Sequence, residues 1–385
     1  PTHGYPDYQR NLWEAVHKNG DGCDYISEKI LYAAAYRSGR LVYGQRSYEV
    51  LLIPETETMD LQTINALDAL ATAGGKVVFI GKKPFRSPHF VDYEARDKEV
   101  ADAIAKLFEN HSQNVILYQS PGDDLIGWYT SLQEAIGHSP WVHIERPDKQ
   151  LSQVCYQAGE AQIFFFINSS LTKQISFSAQ FYTERGRYPW IWDPENGEKY
   201  RYPGATGKKE MLIELAPAAS MLIVFEKARE GEDYPSLTGQ GEGKEITGPW
   251  RLNLSHVNGK KRRTTMRRLV DFRKYYRLKT FAGEAVYEKE IEVDDPGAHT
   301  VINLGNVQGV SELTVNGKNI GVRWYGHHIY DISGSLVKGN NSLSIKLTTI
   351  AGNYLKSLKD NQTAQRWTSR QPFYPVGMMG PVELF

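Results

Sequence analysis

The sequence has little cysteine and no excess of either charge. Its 385 residues include two cysteines, Cys23 and Cys155, which are too few and too far apart for a disulfide framework or a thiolate-bound metal site. Lys and Arg together number 45, as do Asp and Glu, so the formal net charge is zero. A neutral chain has no global electric field that would attract nucleic acid or an anionic membrane surface.

Long apolar runs are also missing. No run approaches the roughly 20 apolar residues that a membrane-spanning helix needs, so we expect no membrane span. The first residues lack the pattern of a secretory signal peptide, and the sequence begins with Pro1 instead of Met. These features favour the hypothesis that the 385 residues are a piece of a longer protein.

Motifs for catalysis and for phosphate binding are absent as well. There is no G-x-S-x-G elbow, no Walker A loop and no G-x-G-x-x-G fingerprint. Adjacent His327 and His328 point to opposite faces of a strand, and no His or Cys spacing is typical of zinc. The basic run at 260–279 has no flanking nucleic-acid-binding motif, and we interpret it as a solvated segment. We therefore expect no nucleic-acid partner.

The first 147 residues alternate helical and strand-like patterns. Two short apolar runs, YEVLLIP and KVVFIG, flank the stretch DLQTINALDALATAGG, and a third run, VILYQS, follows EARDKEVADAIAKLFENH. Apolar runs separated by helices predict a parallel sheet built from βαβ units. The earlier stretches YQRNLWEAVHKNG and DYISEKILYAAAYRSG also have helical spacing. We therefore predict an open α/β domain over residues 1–147.

After residue 147 the pattern changes to strands separated by turns. Stretches such as SQVCYQAGEAQIFFFINSS have no helical period, which predicts an antiparallel β-sandwich and a Gly- and Glu-rich linker over residues 148–245. Farther on, AVYEKEIEV alternates apolar and charged residues, and Asn316-Gly317 is a strong hairpin signal. These signals predict a second β-sandwich over residues 246–385, so the expected fold class is multidomain, α/β plus all-β.

One stretch, VNGKNIGVRWYGHHIYDISGSLVKGNNSLSI at 315–345, concentrates aromatic rings among turn glycines. Aromatic rings stack on the CH faces of sugars while their polar tips form hydrogen bonds. Trp324 has two interpretations, a sugar platform or a buried packing residue. The candidate carbohydrate-binding residues in this stretch are Arg323, Trp324, Tyr325, His327 and His328.

Three glutamates occupy alternate positions of one predicted strand. Glu288, Glu290 and Glu292 repeat about every 7 Å on one face, where carboxylates can hold a structural calcium ion. A solvated strand face is the alternative interpretation. We assign no metal ligand and no catalytic residue from the sequence, and we expect no other cofactor.

The motifs of the last part resemble the galactose-binding-like jelly roll of large glycoside hydrolases. The matching segments are GPWRLNL, LVDF, KTFAGEAVYEKEIEV and the stretch from INLG to AGNYL. The segment from YEVLLIP to KVVFIG resembles an amidotransferase/flavodoxin-like domain without a nucleophile, which follows a barrel in several hydrolase families. The order α/β, β-sandwich and jelly roll, closing with GMMGPVELF, is most similar to the C-terminal half of family 106 α-L-rhamnosidases, with family 2 enzymes as second choice.

This resemblance implies a polysaccharide-degrading enzyme, secreted or periplasmic, whose catalytic carboxylates lie on a preceding (β/α)₈ barrel. Such a barrel needs about 250 residues, more than the predicted α/β domain contains. The resemblance therefore implies a non-catalytic accessory region, inactive alone, whose partners are carbohydrate and the N-terminal barrel of the same protein. A stand-alone carbohydrate-binding protein and an oligomerisation module are the alternative hypotheses.

Overall fold

The computed structural model describes residues 7–195, 197–203, 210–234 and 242–385. The fold is mostly β, with few helices, and no helix among these residues is long and apolar enough to cross a bilayer. The first part contains α1 Asp7–Lys18, α2 Glu28–Ala33, β1 Ala35–Arg37, β2 Arg40–Tyr43, β3 Arg46–Tyr48, β4 Val50–Pro54, α3 Leu61–Thr72, β5 Lys76–Ile80, α4 Tyr93–Asn110, β6 Val115–Tyr118 and α5 Leu125–Ala135.

The three apolar runs form a parallel sheet in the order β4-β5-β6, as the βαβ pattern predicts. Alternate side chains of β5 point to opposite faces. On one face, Val77 and Phe79 pack in a core with α2, α3 and α4. On the other face, Val78 and Ile80 pack in a core with α1 and α5. Helices thus cover both sides of this small sheet.

The segment DYISEKILYAAAYRSG is not one helix, contrary to the prediction from its apolar spacing. Only Glu28–Ala33 is helical, and Ala34 has an extended backbone with φ −76° and ψ 152°. The next residues form β1, which pairs antiparallel with β2, and β2 pairs with β3. Strand pairing therefore outweighs the helix propensity of the alanines.

The middle part contains two antiparallel sheets that enclose a phenylalanine-rich core. Their orders are β13-β10-β7 and β12-β11-β14-β9-β8. The strands are β7 Val142–Ile144, β8 Leu151–Ala158, β9 Ala161–Asn168, β10 Ile175–Phe181, β11 Tyr188–Trp192, β12 Lys199–Arg201, β13 Glu210–Leu215 and β14 Ser220–Glu226. The ring of Phe181 lies 4.8 Å from that of Phe164 and 5.0 Å from that of Phe225, measured between centroids. Strand β7 precedes the predicted boundary at residue 147 but pairs with β10 in this part.

The last part is again antiparallel. Its strands are β15 Lys244–Glu245, β16 Trp250–His256, β17 Lys261–Met266, β18 Gly283–Val293, β19 Val301–Asn303, β20 Asn306–Gln308, β21 Val310–Val315, β22 Lys318–Arg323, β23 Ile329–Asp331, β24 Gly339–Thr348, β25 Gly377–Gly380 and β26 Glu383–Leu384, with helices α6 Gly352–Ser357 and α7 Gln362–Thr368. A six-stranded sheet β17-β16-β18-β24-β21-β22 lies with a four-stranded sheet β15-β26-β19-β23 around one apolar core.

Two predicted details of the last part are visible in its geometry. Asn316 and Gly317 have φ of 50° and 78°, which is the backbone conformation of a tight hairpin turn between β21 and β22. On β18, Glu288 and Glu290 lie 3.8 Å and 3.6 Å from the guanidinium of Arg251 on the neighbouring strand. These glutamates therefore take part in cross-strand charge pairing on a solvated face.

A buried carboxylate joins the first part to the middle sheets. Asp21 is 3% exposed and accepts hydrogen bonds from Tyr129 Oη at 3.2 Å, Gln133 Nε2 at 2.9 Å and His138 Nε2 at 3.1 Å. Its backbone carbonyl accepts a bond of 2.6 Å from Gln153 Nε2 of β8. One residue thereby holds α5, the loop after α5 and the edge of the middle sandwich.

The glycine before Asp21 permits this close approach. Gly20 has φ of +87°, and an added Cβ would lie 1.8 Å from the carbonyl oxygen of Val142. The amide of Val142 also donates a bond of 3.2 Å to the carbonyl of Gly20. A side chain at position 20 would therefore push β7 away from α1.

We predict that Gly20→Ala destabilises the protein by about 3 kcal/mol or more, because a backbone clash adds to left-handed strain. Gly44→Ala is the matched control, since Gly44 has φ of +59° and open space around an added Cβ. The control variant should lose only about 1–2 kcal/mol of stability, which is the cost of the left-handed backbone conformation for alanine. Calorimetric unfolding of both variants measures the difference, and equal losses would contradict the proposed clash.

Candidate functional site

The loop between β22 and β23 presents an open aromatic ring. Trp324 is 62% exposed, and its ring meets that of Tyr325 edge-on, with centroids 4.6 Å apart and an interplanar angle of 69°. An edge contact leaves the faces of the indole free for another flat or apolar group. Trp324 is therefore not a buried packing residue, and its role as a sugar platform stays a prediction.

The turn between β11 and β12 of the middle sheet lies against this loop. The indole Nε1 of Trp324 donates a hydrogen bond to the Glu195 carboxylate. Burial raises the pKa of Tyr325, and the charges of Glu195 and Asp193 raise it further. A Cβ added to Gly326 would lie 3.5 Å from the Cβ of Ala219, so the loop contacts the middle part closely.

Two further tyrosines complete this surface from the middle part. The rings of Tyr200 and Tyr234 meet edge-on at 5.7 Å and 83°. Burial raises the pKa of Tyr234, and the charge of Asp193 adds to the increase. We call the surface formed by Asp193, Glu195, Tyr200, Tyr234, Trp324 and Tyr325 the junction face. It combines an open aromatic platform with carboxylates that accept hydrogen bonds, which suits a polyhydroxylated ligand.

Arg323 bridges the two ends of the loop. Its Nε donates to the carbonyl of Ile329 at 3.2 Å, and a terminal nitrogen donates to the carbonyl of Val322 at 3.1 Å. The guanidinium carbon lies 5.4 Å from the ring centroid of Tyr330, within the range of a cation–π contact. These contacts hold the backbone on either side of the loop that carries Trp324.

The two adjacent histidines separate, although both lie in the loop before β23 and neither lies on a strand. His327 is exposed, whereas His328 is 3% exposed and its Nδ1 is hydrogen-bonded to Ser311 Oγ. Ser311 Oγ also lies 2.6 Å from Tyr330 Oη. His328 thus lies inside the domain and does not join the junction face.

Of the five residues predicted from the sequence, the structure places Trp324 and Tyr325 on the junction face. Arg323 is half-buried beside them, with its charge acting on Tyr234 and Tyr325. His327 is exposed on the same loop, and His328 is in the core. Sequence reasoning missed the acidic and tyrosine residues of the middle part. The signal was present in YPWIWDPENGEKYRYPG, whose aromatic residues flank an acidic turn, but only the fold brings that turn to Trp324.

Sequence reasoning also missed the histidine beside Cys23. The Sγ of Cys23 lies 3.8 Å from Nδ1 of His17, a pairing that resembles a thiol nucleophile and its base. Burial raises the pKa of the Cys23 thiol to about 12, with the charges of Asp24 and Asp21 adding to the effect. The thiol therefore stays protonated at neutral pH, and Cys23 is a half-buried packing residue.

Metal ligands do not converge in the described ranges. No group of three or more His, Cys, Asp or Glu side chains there is arranged to hold an ion. Glu288 and Glu290, two of the three glutamates considered for calcium, are the ones that pair with Arg251.

The burial of His328 makes stability depend on pH. Burial lowers the pKa of His328 from its ordinary 6.5 to about 4, and the nearby charges of Arg323 and His327 act in the same direction. The unfolded chain therefore binds this proton more readily than the folded chain. The resulting stability is present above pH 6.5 and is lost as the pH falls towards 4.

We predict that the wild-type protein loses about 3 kcal/mol more than His328→Asn between pH 7 and pH 4, since each pKa unit corresponds to 1.36 kcal/mol. Asparagine keeps a hydrogen-bonding side chain but does not titrate. His327→Asn is the control and should keep most of the wild-type loss, because burial is the largest cause of the lowered pKa of His328 and the charge of His327 is a smaller one. Urea unfolding at a series of pH values gives the three slopes, and parallel curves for wild type and His328→Asn would refute this assignment.

Comparisons with known proteins agree with the fold. Residues 12–202 match the model of glycoside hydrolase family 106, described as alpha-L-rhamnosidase. Over 94% of the chain, the fold is similar to that of a rhamnosidase from Novosphingobium sp. PP1Y, with a TM-score of 0.66 and 22% identity. A protein of Formosa agariphila to which β-glucuronidase activity is ascribed is 23% identical over 227 residues, which are 56% of this chain.

The chain is much shorter than these relatives. It spans 36% of the rhamnosidase structure and 18% of the Formosa agariphila protein. The resemblance to family 106 is confirmed, and the chain is related over residues 12–202 to the α-L-rhamnosidases of this glycoside hydrolase family.

Proposed function

We propose that this chain is the non-catalytic, C-terminal accessory region of a larger glycoside hydrolase of the α-L-rhamnosidase type. The observation that supports this most is the unequal coverage of the structural match, since 94% of this chain corresponds to 36% of the rhamnosidase. In this proposal residues 1–147 are an amidotransferase-like domain without a nucleophile, residues 148–245 a β-sandwich with a linker, and residues 246–385 a galactose-binding-like jelly roll.

The state of the reactive groups supports a role without chemistry of its own. The Cys23 thiol is protonated because burial raises its pKa, and His328 is buried and hydrogen-bonded to Ser311. Glycoside hydrolysis generally needs two carboxyl groups that face each other across a bound sugar. In this proposal those groups lie on a catalytic barrel outside the chain, in a secreted or periplasmic enzyme, and the chain supports that barrel.

The junction face gives the accessory region a second role, contact with carbohydrate. The open face of Trp324 suits the CH face of a sugar ring, and the carboxylate of Glu195 can accept hydrogen bonds from sugar hydroxyls. A site assembled from a loop of the last part and a turn of the middle part also depends on how those two parts pack. Sugar contact there would extend the substrate cleft of the whole enzyme during polysaccharide degradation.

We predict that the isolated chain folds but does not hydrolyse an aryl α-L-rhamnoside, whereas the full-length protein does. Circular dichroism checks folding, and release of the aryl group measures turnover. The full-length protein at equal concentration is the positive control. Turnover by the isolated chain that a point mutation within it abolishes would disprove the accessory role.

We predict that Trp324→Ala weakens binding of rhamnose- or galactose-containing oligosaccharides by about tenfold, which corresponds to the loss of about 1.4 kcal/mol of stacking. Isothermal titration of the isolated chain measures the Kd. Trp367→Ala is the matched control, since Trp367 is 72% exposed but lies on α7. Equal affinities for wild type and Trp324→Ala would remove the junction face from sugar binding, and light scattering would then test the chain as an oligomerisation module.

A further inference from the structure

A groove of about 570 Å³ runs along the outer edge of β4, the first strand of the parallel sheet. All five residues of β4 line it, so the groove reaches around both faces of the strand edge. The segment from Asp21 to Ile26 forms part of the opposite wall, and Tyr182 of the middle part lies at one side. The groove is therefore as long as the strand that borders it.

The backbone of β4 has hydrogen-bonding groups that face this groove. The amide of Lys76 donates to the carbonyl of Glu49, and the amide of Glu55 donates to the carbonyl of Ile80. Because pairing groups alternate along a parallel strand, this pattern turns the N–H and C=O groups of Val50 and Leu52 away from β5. Among the residues that the structure describes, no backbone group pairs with them.

In the described part of the chain, the side chains of β4 also have no neighbouring strand on the outer side of the sheet. Every residue of β4 is only half-buried, whereas Val77–Ile80 of the adjacent strand β5 are fully buried. Leu51 and Ile53 contact the core beneath α2, α3 and α4, and Val50 and Leu52 contact the core beneath α1 and α5. Helices on both faces border the groove, so both apolar layers continue beyond the last strand.

The chain connections leave a strand position beside β4 unfilled. From β4 to β5 to β6 the connecting helices α3 and α4 share one face, while α5 lies on the other. In a doubly wound sheet, a chain that changes face in this way returns to the free edge of the first strand. Here the chain passes the groove at His138–Trp141 and continues into β7 of the middle sheet.

We propose that an extended, apolar segment of the larger protein, from outside these 385 residues, occupies the groove and adds to β4 as a further strand. This inference rests on the proposed function, because it requires a larger protein. A fully matching segment of about five residues would span about 17 Å. The rhamnosidase structure is long enough to contain such a segment in addition, because nearly all of this chain corresponds to only 36% of that protein.

An extended peptide fits the groove better than a small molecule does. Strand addition uses main-chain hydrogen bonds for affinity and pockets on alternate sides for specificity. Both features are present, namely the outward backbone groups of Val50 and Leu52 and the apolar layers on the two faces. The added strand would anchor the accessory region to the rest of the enzyme.

The test is amide hydrogen exchange of residues 50–54, measured by mass spectrometry in the isolated chain and in the full-length protein. We expect the outward amides to exchange rapidly in the isolated chain and at least tenfold more slowly in the full-length protein. Rapid exchange in both proteins would overturn the inference, as would slow exchange in the isolated chain. Slow exchange produced in the isolated chain by added rhamnose or oligosaccharide would assign the groove to a small molecule instead.

A pair of variants separates the backbone contact from side-chain packing. Leu52→Pro removes the outward N–H but none of the bonds to β5, and proline is tolerated at such edge positions. Leu52→Ala removes a similar apolar contact and keeps the N–H. In the full-length protein, Leu52→Pro should raise exchange of the neighbouring amides at least tenfold relative to Leu52→Ala, and equal exchange in the two folded variants would refute strand pairing.

The two proposals fail in different ways. Hydrolysis by the isolated chain would overturn the accessory function, regardless of how fast the amide hydrogens of β4 exchange. An inactive isolated chain whose β4 amides exchange equally fast in the full-length protein would overturn strand addition alone. A source gene that encodes no residues beyond these 385 would exclude the proposed segment and overturn both proposals.

Discussion

The buried carboxylate of Asp21 is the interaction on which the arrangement of the first two parts depends. A charge in the protein interior is costly unless hydrogen bonds and an opposite charge compensate it. Three side chains of the α5 region supply those bonds, and Gln153 holds the same residue by its carbonyl. Burial alone would lower the pKa of His138, but the hydrogen bond and charge of Asp21, with the charge of Glu49, outweigh it and raise that pKa. The raised pKa favours the protonated form of His138, whose charge is opposite to that of a carboxylate.

This interaction has a consequence at each edge of the five-stranded middle sheet. Gln153 lies on β8, which is one edge, while Tyr200 lies on β12, which is the other. With four strand spacings of about 4.8 Å between them, the edges are about 19 Å apart. The middle sheet therefore separates the contact with Asp21 at β8 from Tyr200 of the junction face by about that distance.

Local sequence patterns predicted the elements that local forces determine. The runs at β4 and β5 were recognisable because strands covered on both faces are apolar at nearly every position, and the turn at Asn316-Gly317 because few residues tolerate positive φ. The end of α2 at Ala33 was not predicted from the sequence. Pairing of β1 with β2 ends the helix there, and the residues near Ala33 contain no pattern that indicates this pairing. For the candidate site, aromatic composition indicated Trp324. The contact with Glu195 lies 129 positions away in sequence and is not visible without the fold.

The electrostatic states of the buried groups separate structural residues from candidate binding residues. Cys23 and His328 are both chemically versatile side chains, yet burial keeps the thiol protonated and the imidazole neutral near pH 7. Each has a polar contact inside the protein, to His17 and to Ser311. In contrast, the indole face of Trp324 and the outward backbone of β4 have apolar or hydrogen-bonding capacity that no described residue uses fully. The proposed accessory role would depend on such open surfaces, since it consists of contacts with other parts of an enzyme.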